Sequence, residues 1–390
     1  MKKTMAMLLA LLLVAVMLPV MAMADEATVV STQEALKNAV AAGGEVTLGA
    51  NITASITIPK DKTVTLNLGA FTLTGDGDHT ITNNGTLTVV GSGKVVNING
   101  GKAALFNNVN AVANLNGGTF EGTTWYVIKN LGTITMNGAS VDQKDTGSSA
   151  IDNGWYDSTS TSGHGNDCGI VYPGGYAKLT IANGNFNGGM NTVKNDDYGV
   201  LEISGGTFSN TNGPTVLNWN VATISGGEFK VNSTATSVIA NGSFNNEADK
   251  GQLTITGGDF TSADGGRGAL FGYGDGAQNG GNLSITGGNF NGDLPGVGAY
   301  PYHIAITGGN FEDREGAKNY IPSNMEIDGN GNVVNKSITI IVPSEGGNTT
   351  TTPSTDNTKN PSTGANDFVG VAAAMAVVSL LGAAVAVRKK

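Results

Sequence analysis

The chain has 390 residues, of which 59 are glycine and 43 are asparagine, and only 13% are charged. Both residues are poor helix formers, so this composition excludes a predominantly helical protein. A hydrophobic content of 39% excludes a disordered polyelectrolyte, and the formal net charge of −10 argues against nucleic acid as a partner. What remains is a turn-rich, strand-dominated protein whose composition does not name an activity.

Residues 1–24 have the organisation of a secretory signal peptide. Two lysines follow the initial methionine, Met5–Val20 form an apolar run, and Ala22–Ala24 is a small-x-small cleavage site. The alternative is an N-terminal membrane anchor. A secreted chain with the single cysteine Cys168 forms no internal disulfide, so we expect its core to stabilise it.

Residues 25–44 are predicted to form a strand and a short capping helix. Ser31 and Glu34 match a capping box, with Ser31 as the N-cap and Glu34 at the third helical position. The helix is expected to stop at Gly43 and Gly44. We assign this segment to the cap of a stack of strands, because the first layer of such a stack exposes unpaired edges.

The middle of the chain repeats one pattern, a short strand with alternating apolar residues, a small corner and then a phenylalanine. Its copies are Ala113–Phe120, Ile134–Val141 (a worn copy), Leu179–Phe186, Leu201–Phe208, Ala222–Phe229, Leu253–Phe260, Leu283–Phe290 and Ile304–Phe311. The frequent glycine pair permits a corner that a Cβ would resist, and the phenylalanine then turns inward. One such repeat cannot bury its apolar face alone, but stacking at a spacing of about 4.8 Å makes a continuous core.

A second series of tripeptides, each ending in asparagine, runs in step with the first. The asparagines are Asn107, Asn130, Asn153, Asn195, Asn218 and Asn241, at successive spacings of 23, 23, 42, 23 and 23 residues. We expect these side chains to stack at one corner and to hydrogen-bond along the stack. A β-propeller, the rival architecture, expects longer blades of about 40 residues.

The two series together resemble the right-handed parallel β-helix of the pectin-lyase-like superfamily over roughly residues 45–320. We therefore predict an all-β fold, a right-handed parallel β-helix (β-solenoid) of about a dozen coils. It is expected to occupy residues 45–341 and to end in a hairpin over Met325–Val334.

The last part of the chain has the organisation of a surface anchor. Residues 342–359 form a low-complexity linker, and residues 360–390 combine a short motif, an uncharged segment at 368–387 and a basic tail. The motif consists of Asn360, Pro361, Ser362, Thr363 and Gly364.

This arrangement resembles the C-terminal sorting signal of Gram-positive surface proteins. The resemblance implies that a sortase cuts between Thr363 and Gly364 and joins the chain to cell-wall peptidoglycan. Asn360 stands where leucine is usual, which leaves the sortase class open. The alternative is a chain that residues 368–387 hold in the membrane.

The long spacing between Asn153 and Asn195 contains a polar insertion over residues 154–167. In a solenoid, insertions project as loops from one face, which is often the binding face. Candidate ligand-binding residues follow the asparagine corner; they are Trp155, Tyr156, Asp157, Asp196, Asp197, Tyr198 and Trp219. Aromatic rings cover the apolar faces of sugars and carboxylates accept from hydroxyls, so we predict a groove for a glycan or a host surface. The alternative is that the rings only cover a corner of the core.

The catalytic patterns of the superfamily are incomplete. Polygalacturonase-like members carry Asn-Thr-Asp, Asp-Asp, Gly-His-Gly and Arg-Ile-Lys in that order. Here Gly163–Gly165 precedes Asp196–Asp197, and Arg-Ile-Lys is missing. Lyase-type members use aspartate-bound calcium and a basic residue; Lys194 is one weak candidate, and the asparagine series places Arg267 away from the aspartates.

We therefore predict no catalytic residue and no cofactor, with calcium at Asp196–Asp197 left open. The leading hypothesis is a cell-surface adhesin or carbohydrate-binding protein without catalysis. The alternatives are a polysaccharide lyase or glycoside hydrolase that acts on acidic polysaccharide, and a passive surface spacer.

Overall fold

The computed structural model describes residues 27–123, 125–155, 175–243, 251–274, 281–294 and 303–337. Over these residues the chain forms an all-β parallel solenoid of the right-handed type, with about 10 turns and 6% helix. The predicted fold class is confirmed, with slightly fewer turns than the dozen expected.

The helices and strands are short and follow one another in a regular order. In chain order they are β1 Thr28–Val30, α1 Gln33–Ala42, β2 Gly44–Leu48, β3 Ile52–Thr53, β4 Ile56–Ile58, β5 Thr63–Asn67, β6 Thr72–Thr74, β7 Ile81–Asn83, β8 Thr86–Val90, β9 Lys94–Val96, β10 Leu105–Asn107, β11 Val112–Leu115, β12 Thr119–Gly122, β13 Ile128–Asn130, β14 Thr133–Gln143, β15 Ile151–Asn153, β16 Ala177–Gly188, β17 Val193–Asn195, β18 Gly199–Ile203, β19 Thr207–Asn210, β20 Val216–Asn218, β21 Val221–Ile224, β22 Glu228–Val231, β23 Ile239–Ser243, β24 Gln252–Ile255, β25 Asp259–Thr261, β26 Leu270–Gly274, β27 Asn282–Asn291, β28 His303–Phe311, α2 Arg314–Lys318, β29 Met325–Ile327 and β30 Val333–Asn335.

Within the described residues, these strands form a sheet of 19 strands, a sheet of nine strands and a two-stranded hairpin. The nine-stranded sheet takes one strand from each coil, in the order β4, β7, β10, β13, β15, β17, β20, β23 and β26. All its pairings are parallel and in register, so equivalent residues of successive coils lie directly above one another. This register determines which candidate site residues lie next to one another on adjacent coils.

The phenylalanines after the glycine corners form a stack inside the core. Consecutive ring centroids from Phe186 to Phe311 lie 4.6 to 4.9 Å apart, and the rings are nearly parallel. The two glycines of a corner serve different needs: Gly227 has a φ of +109°, whereas a Cβ on Gly226 would lie 2.5 Å from the carbonyl oxygen of Ser204. The predicted corner and inward ring are both present.

The asparagines form a continuous hydrogen-bonded ladder at one corner of the core. Each side-chain amide donates to the side-chain oxygen of the next asparagine at 2.7 or 2.8 Å. Its members are Asn83, Asn107, Asn130, Asn153, Asn195, Asn218 and Asn241, all fully buried. The predicted stack is therefore present, and it begins one coil earlier, at Asn83.

The helix α1 covers the N-terminal end of the core with Leu36 and Val40. Its N-cap is Thr32, whose hydroxyl accepts from the N–H of Ala35 at 3.2 Å. The prediction of Ser31 as N-cap and Glu34 as the third helical residue is wrong by one position, because Thr32 still has an extended backbone with φ −131° and ψ 156°. The helix ends before Gly43, as expected.

The C-terminal end of the described array carries α2 and the hairpin. The strands β29 and β30 pair antiparallel, as predicted for Met325–Val334. The sequence analysis did not predict α2, a single turn that the side chain of Asp313 caps by accepting from the N–H of Gly316. Val333 and Ala317 pack against the end of the core.

Several predictions concern residues that lie outside the described part of the chain. They are the signal peptide at 1–24, the linker at 342–359, the sorting signal at 360–390 with its apolar segment at 368–387, and the candidate residues Tyr156 and Asp157. These remain predictions. Among the described residues, no helix has the length and apolar character needed to cross a bilayer.

Candidate functional site

The outer face of the nine-stranded sheet carries the unusual side chains. In each tripeptide the first and third residues face the core, so the middle residue faces outward. In successive strands from β10 to β23 these middle residues are in register; they are Phe106, Lys129, Asp152, Lys194, Leu217 and Ala240. Three consecutive outward positions therefore carry alternating charges.

We call Lys129, Asp152, Lys194 and Asp196 the charge ladder. The Nζ atom of Lys129 lies 3.3 Å from Oδ1 of Asp152, and the Nζ atom of Lys194 lies 3.9 Å from Oδ2 of the same carboxylate. The Nζ atom of Lys194 is also 2.8 Å from Oδ1 of Asp196. The side chains of Lys129, Asp152 and Asp196 are 0% exposed, so these charges neutralise one another away from solvent.

Burial and mutual attraction set the charge states of this ladder. Burial acts to raise the pKa of Asp152, but the positive charges of Lys129 and Lys194 outweigh it and hold that pKa below the usual value. The side chains of Asp196 and Tyr126 add smaller contributions in the same direction. Burial likewise opposes the charged form of Lys194, yet the carboxylates of Asp196 and Asp152 raise its pKa above the usual range.

One group of aromatic rings lies on the N-terminal side of the ladder. The ring of His79 stacks on Phe106 at 4.6 Å, and Trp125 lies 5.6 Å from His79 and 4.8 Å from Tyr126. The Nζ atom of Lys129 lies 5.0 Å from the centre of the Tyr126 ring, a cation–π contact. The sequence analysis did not single out any of these rings.

The aromatic residues that were predicted fall into two separate places. Trp155 stacks on Tyr198 at 5.4 Å, and Tyr176 lies against Tyr198 at 5.9 Å. Trp155 is 6% exposed and packs with Leu131, whereas Tyr176 is 64% exposed. Among the described residues, Trp155 and Tyr198 therefore stack together, and Trp219 packs in a different cluster.

Trp219 lies apart from that group, beside a pocket of about 540 Å³ on the outer face of the sheet. The Nζ atom of Lys194 lies 4.8 Å from the centre of the Trp219 ring. Other lining residues are Tyr126, Met190, Leu217 and Arg267. The pocket thus combines apolar surface, aromatic rings and two basic residues.

Asp196 and Asp197 are both fully buried. Asp196 contacts Lys194, so it holds a lysine at the edge of the pocket. Within the described ranges, no three His, Cys, Asp or Glu side chains converge in the manner of a metal site. Asp328, in the turn between β29 and β30, accepts hydrogen bonds from the N–H groups of Asn330 and Asn332.

One signal in the sequence could have located part of this site. The middle residues of three successive asparagine tripeptides read Lys129, Asp152 and Lys194, an alternation of charge at equivalent positions. Arg267 had no such signal, because the loop before β26 brings it to the pocket. The asparagine series placed Arg267 away from the aspartate corner, but Arg267 lines the same pocket as Lys194.

Comparisons of the chain with known protein families, with characterised proteins and with solved structures gave no match. Fold and site geometry are therefore the basis for a functional proposal.

Proposed function

We propose that the chain is a surface protein that binds a carbohydrate, without catalysis, in the pocket beside Trp219. The pocket is the observation that carries this proposal. Its volume of about 540 Å³ lies within the range of about 300–1,000 Å³ that is usual for small-molecule sites. The partly exposed phenol of Tyr126 offers a surface for a sugar ring, the largely buried indole of Trp219 contributes to the pocket wall, and side chains such as Asn191 and Asn212 offer amides.

The charge ladder supports binding rather than turnover. A lyase needs a base that loses its proton readily, but the raised pKa of Lys194, caused by Asp196 and Asp152 against the effect of burial, keeps that lysine protonated. A glycoside hydrolase needs two carboxyl groups that flank the scissile bond. Asp152, Asp196 and Asp197 are 0% exposed and do not present such a pair to the pocket.

The proposed binding is tested by filling the pocket from an exposed position. Met190 lines the pocket and is 50% exposed, so Met190→Arg should leave the fold intact and obstruct the site. Val29, which is 67% exposed on β1, provides the matched control Val29→Arg. We expect the purified protein to bind on a glycan array, and Met190→Arg to weaken that binding by at least about tenfold, equal to about 1.4 kcal/mol.

Two results would contradict the proposal: no binding by the parent protein, or equal binding by parent and Met190→Arg. Release of reducing ends or unsaturated products from acidic polysaccharides would instead favour the enzymatic alternative. Val29→Arg must retain binding for the comparison to identify the pocket.

We also propose that the protein is attached to the cell wall by a sortase at Thr363. The resemblance of residues 360–390 to a sorting signal supports this proposal. Replacing Thr363 by Ala should move the protein from the wall fraction to the membrane fraction or the medium. An unchanged distribution would exclude attachment through Thr363.

A further inference from the structure

Lys129 and Asp152 form a pair with unusual geometry in the charge ladder. They are direct partners in the parallel register of β13 and β15, on adjacent coils. The Nζ atom lies 3.3 Å from Oδ1, and both side chains are 0% exposed. Taking two charges out of water is costly, so a buried ion pair adds little stability of its own and its presence here asks for another explanation.

We propose that Lys129 and Asp152 form a covalent amide between Nζ of the lysine and Cγ of the aspartate. The bond from Nζ to Cγ forms, and the bond from Cγ to one carboxylate oxygen breaks. The ammonium nitrogen loses two protons, which leave with that oxygen as one molecule of water. The condensation is redox-neutral and needs no further reagent.

The approach of the two groups favours this reaction. The amine already contacts the carboxyl group that it attacks, because Nζ of Lys129 lies 3.3 Å from Oδ1 of Asp152, and the strand register holds the two residues side by side on adjacent coils. Burial removes competing water and disfavours the charged forms, and the neutral amine and neutral acid are the reactive species. Because Lys129 and Lys194 hold the pKa of Asp152 low against the effect of burial, the neutral pair is a minority and the bond forms slowly after folding.

Two neighbours have roles in the same step. Lys194 faces Oδ2 of Asp152 at 3.9 Å, where negative charge grows as nitrogen adds to the carboxyl carbon. Asp196 interacts with the carboxyl group of Asp152, so we assign it the transfer of a proton to the departing oxygen. Lys194 and Asp196 are therefore positioning and proton-relay residues, and Lys129 and Asp152 are the groups joined.

The chain contains a matched control for the reaction. Lys178 and Glu202 also join adjacent coils, with Nζ and Oε1 3.3 Å apart, but their side chains are 48% and 50% exposed. Water competes freely at that exposed pair. We expect no amide between Lys178 and Glu202.

Peptide mapping of the purified full chain tests the proposal. After complete denaturation and trypsin digestion, we expect no cleavage after Lys129 and a branched peptide that joins Lys129 to Asp152 and is lighter by one water than its two parts. Cleavage after Lys178 should proceed normally. Full cleavage after Lys129, with separate unmodified peptides, would overturn the proposal whatever the behaviour of any variant.

A variant then tests the role of Asp196. In Asp196→Asn we expect a lower cross-linked fraction at a fixed time after refolding, with circular dichroism unchanged. A fraction equal to that of the parent would overturn the proton relay. The double variant Lys129→Met with Asp152→Leu removes both reacting groups while filling the space, and it should give separate, unbranched peptides for residues 129 and 152.

Discussion

Replacement of one ladder asparagine in the middle of the array should destabilise the protein strongly. The side chain of Asn130 makes four hydrogen bonds: its amide donates to Oδ1 of Asn153 at 2.7 Å and to the carbonyl of Lys178 at 3.0 Å. Its oxygen accepts from the amide of Asn107 at 2.8 Å and from the N–H of Gly132 at 3.1 Å. Asn130 is fully buried, so Asn130→Ala leaves these partners away from water.

The size of the destabilisation by Asn130→Ala depends on how many hydrogen-bond partners of Asn130 are left without another partner. The amide of Asn107 keeps two carbonyl acceptors, those of Ala111 and Thr133. The N–H of Gly132 and the side-chain oxygen of Asn153 lose a hydrogen bond in the buried corner. At about 1–3 kcal/mol for each of these two orphaned groups, we expect Asn130→Ala to lower the free energy of unfolding by about 2–6 kcal/mol.

The assay is urea denaturation followed by circular dichroism, with Asn187→Ala as the control. Asn187 also bonds to neighbouring coils, through Asp142 and Ser209, but it is exposed. We expect the control to change the free energy of unfolding by less than about 0.5 kcal/mol. Equal losses in the two variants would refute the reasoning that burial gives the ladder its stabilising effect.

Three further predictions concern the corners, the core and one histidine. Gly226→Ala brings a Cβ to 2.5 Å from the oxygen of Ser204 and should cost about 1–3 kcal/mol in urea denaturation, whereas Gly329→Ala, with no atom within 4 Å, should cost little. Phe229→Ala removes a ring stacked on two others and should cost about 3–5 kcal/mol by the same measurement. Burial, reinforced by a nearby lysine and opposed by a nearby aspartate, lowers the pKa of His79 from 6.5 to about 4. The unfolded chain therefore binds the extra proton between those pH values, and stability should fall as the pH drops through that window, by about 1–2 kcal/mol after solvent screening. A His79→Gln variant should show a flatter pH profile of thermal unfolding.

The repeated part of the fold could be predicted because each coil requires the same type of residue at the same position. The glycine pairs, the inward phenylalanines and the asparagines recur at fixed offsets, and the structure places them as expected. The N-cap was missed by one residue because Ser31 and Thr32 are both good capping residues, and only the backbone angles of Thr32 distinguish them.

The site was harder to predict because it depends on the parts that do not repeat. Period-two alternation places Lys129 outside the core, where charged residues are usually solvated, and nothing in its own strand shows that it is buried. The rings of His79 and Trp125 come from connecting segments of different coils, and no periodic signal relates them. Trp155 and Trp219 were named as one group, but packing separates them.

The coil that begins at Asn153 indicates where such a protein can accept inserted sequence. Its connection to the next ladder position is 42 residues long instead of 23, yet the hydrogen bond from Asn153 to Asn195 is 2.8 Å, the same as in ordinary coils. The extra sequence leaves the neighbouring coils in register. This corner is therefore a natural acceptor for grafted segments, where foreign loops can be displayed and exchanged while the scaffold beneath them stays constant.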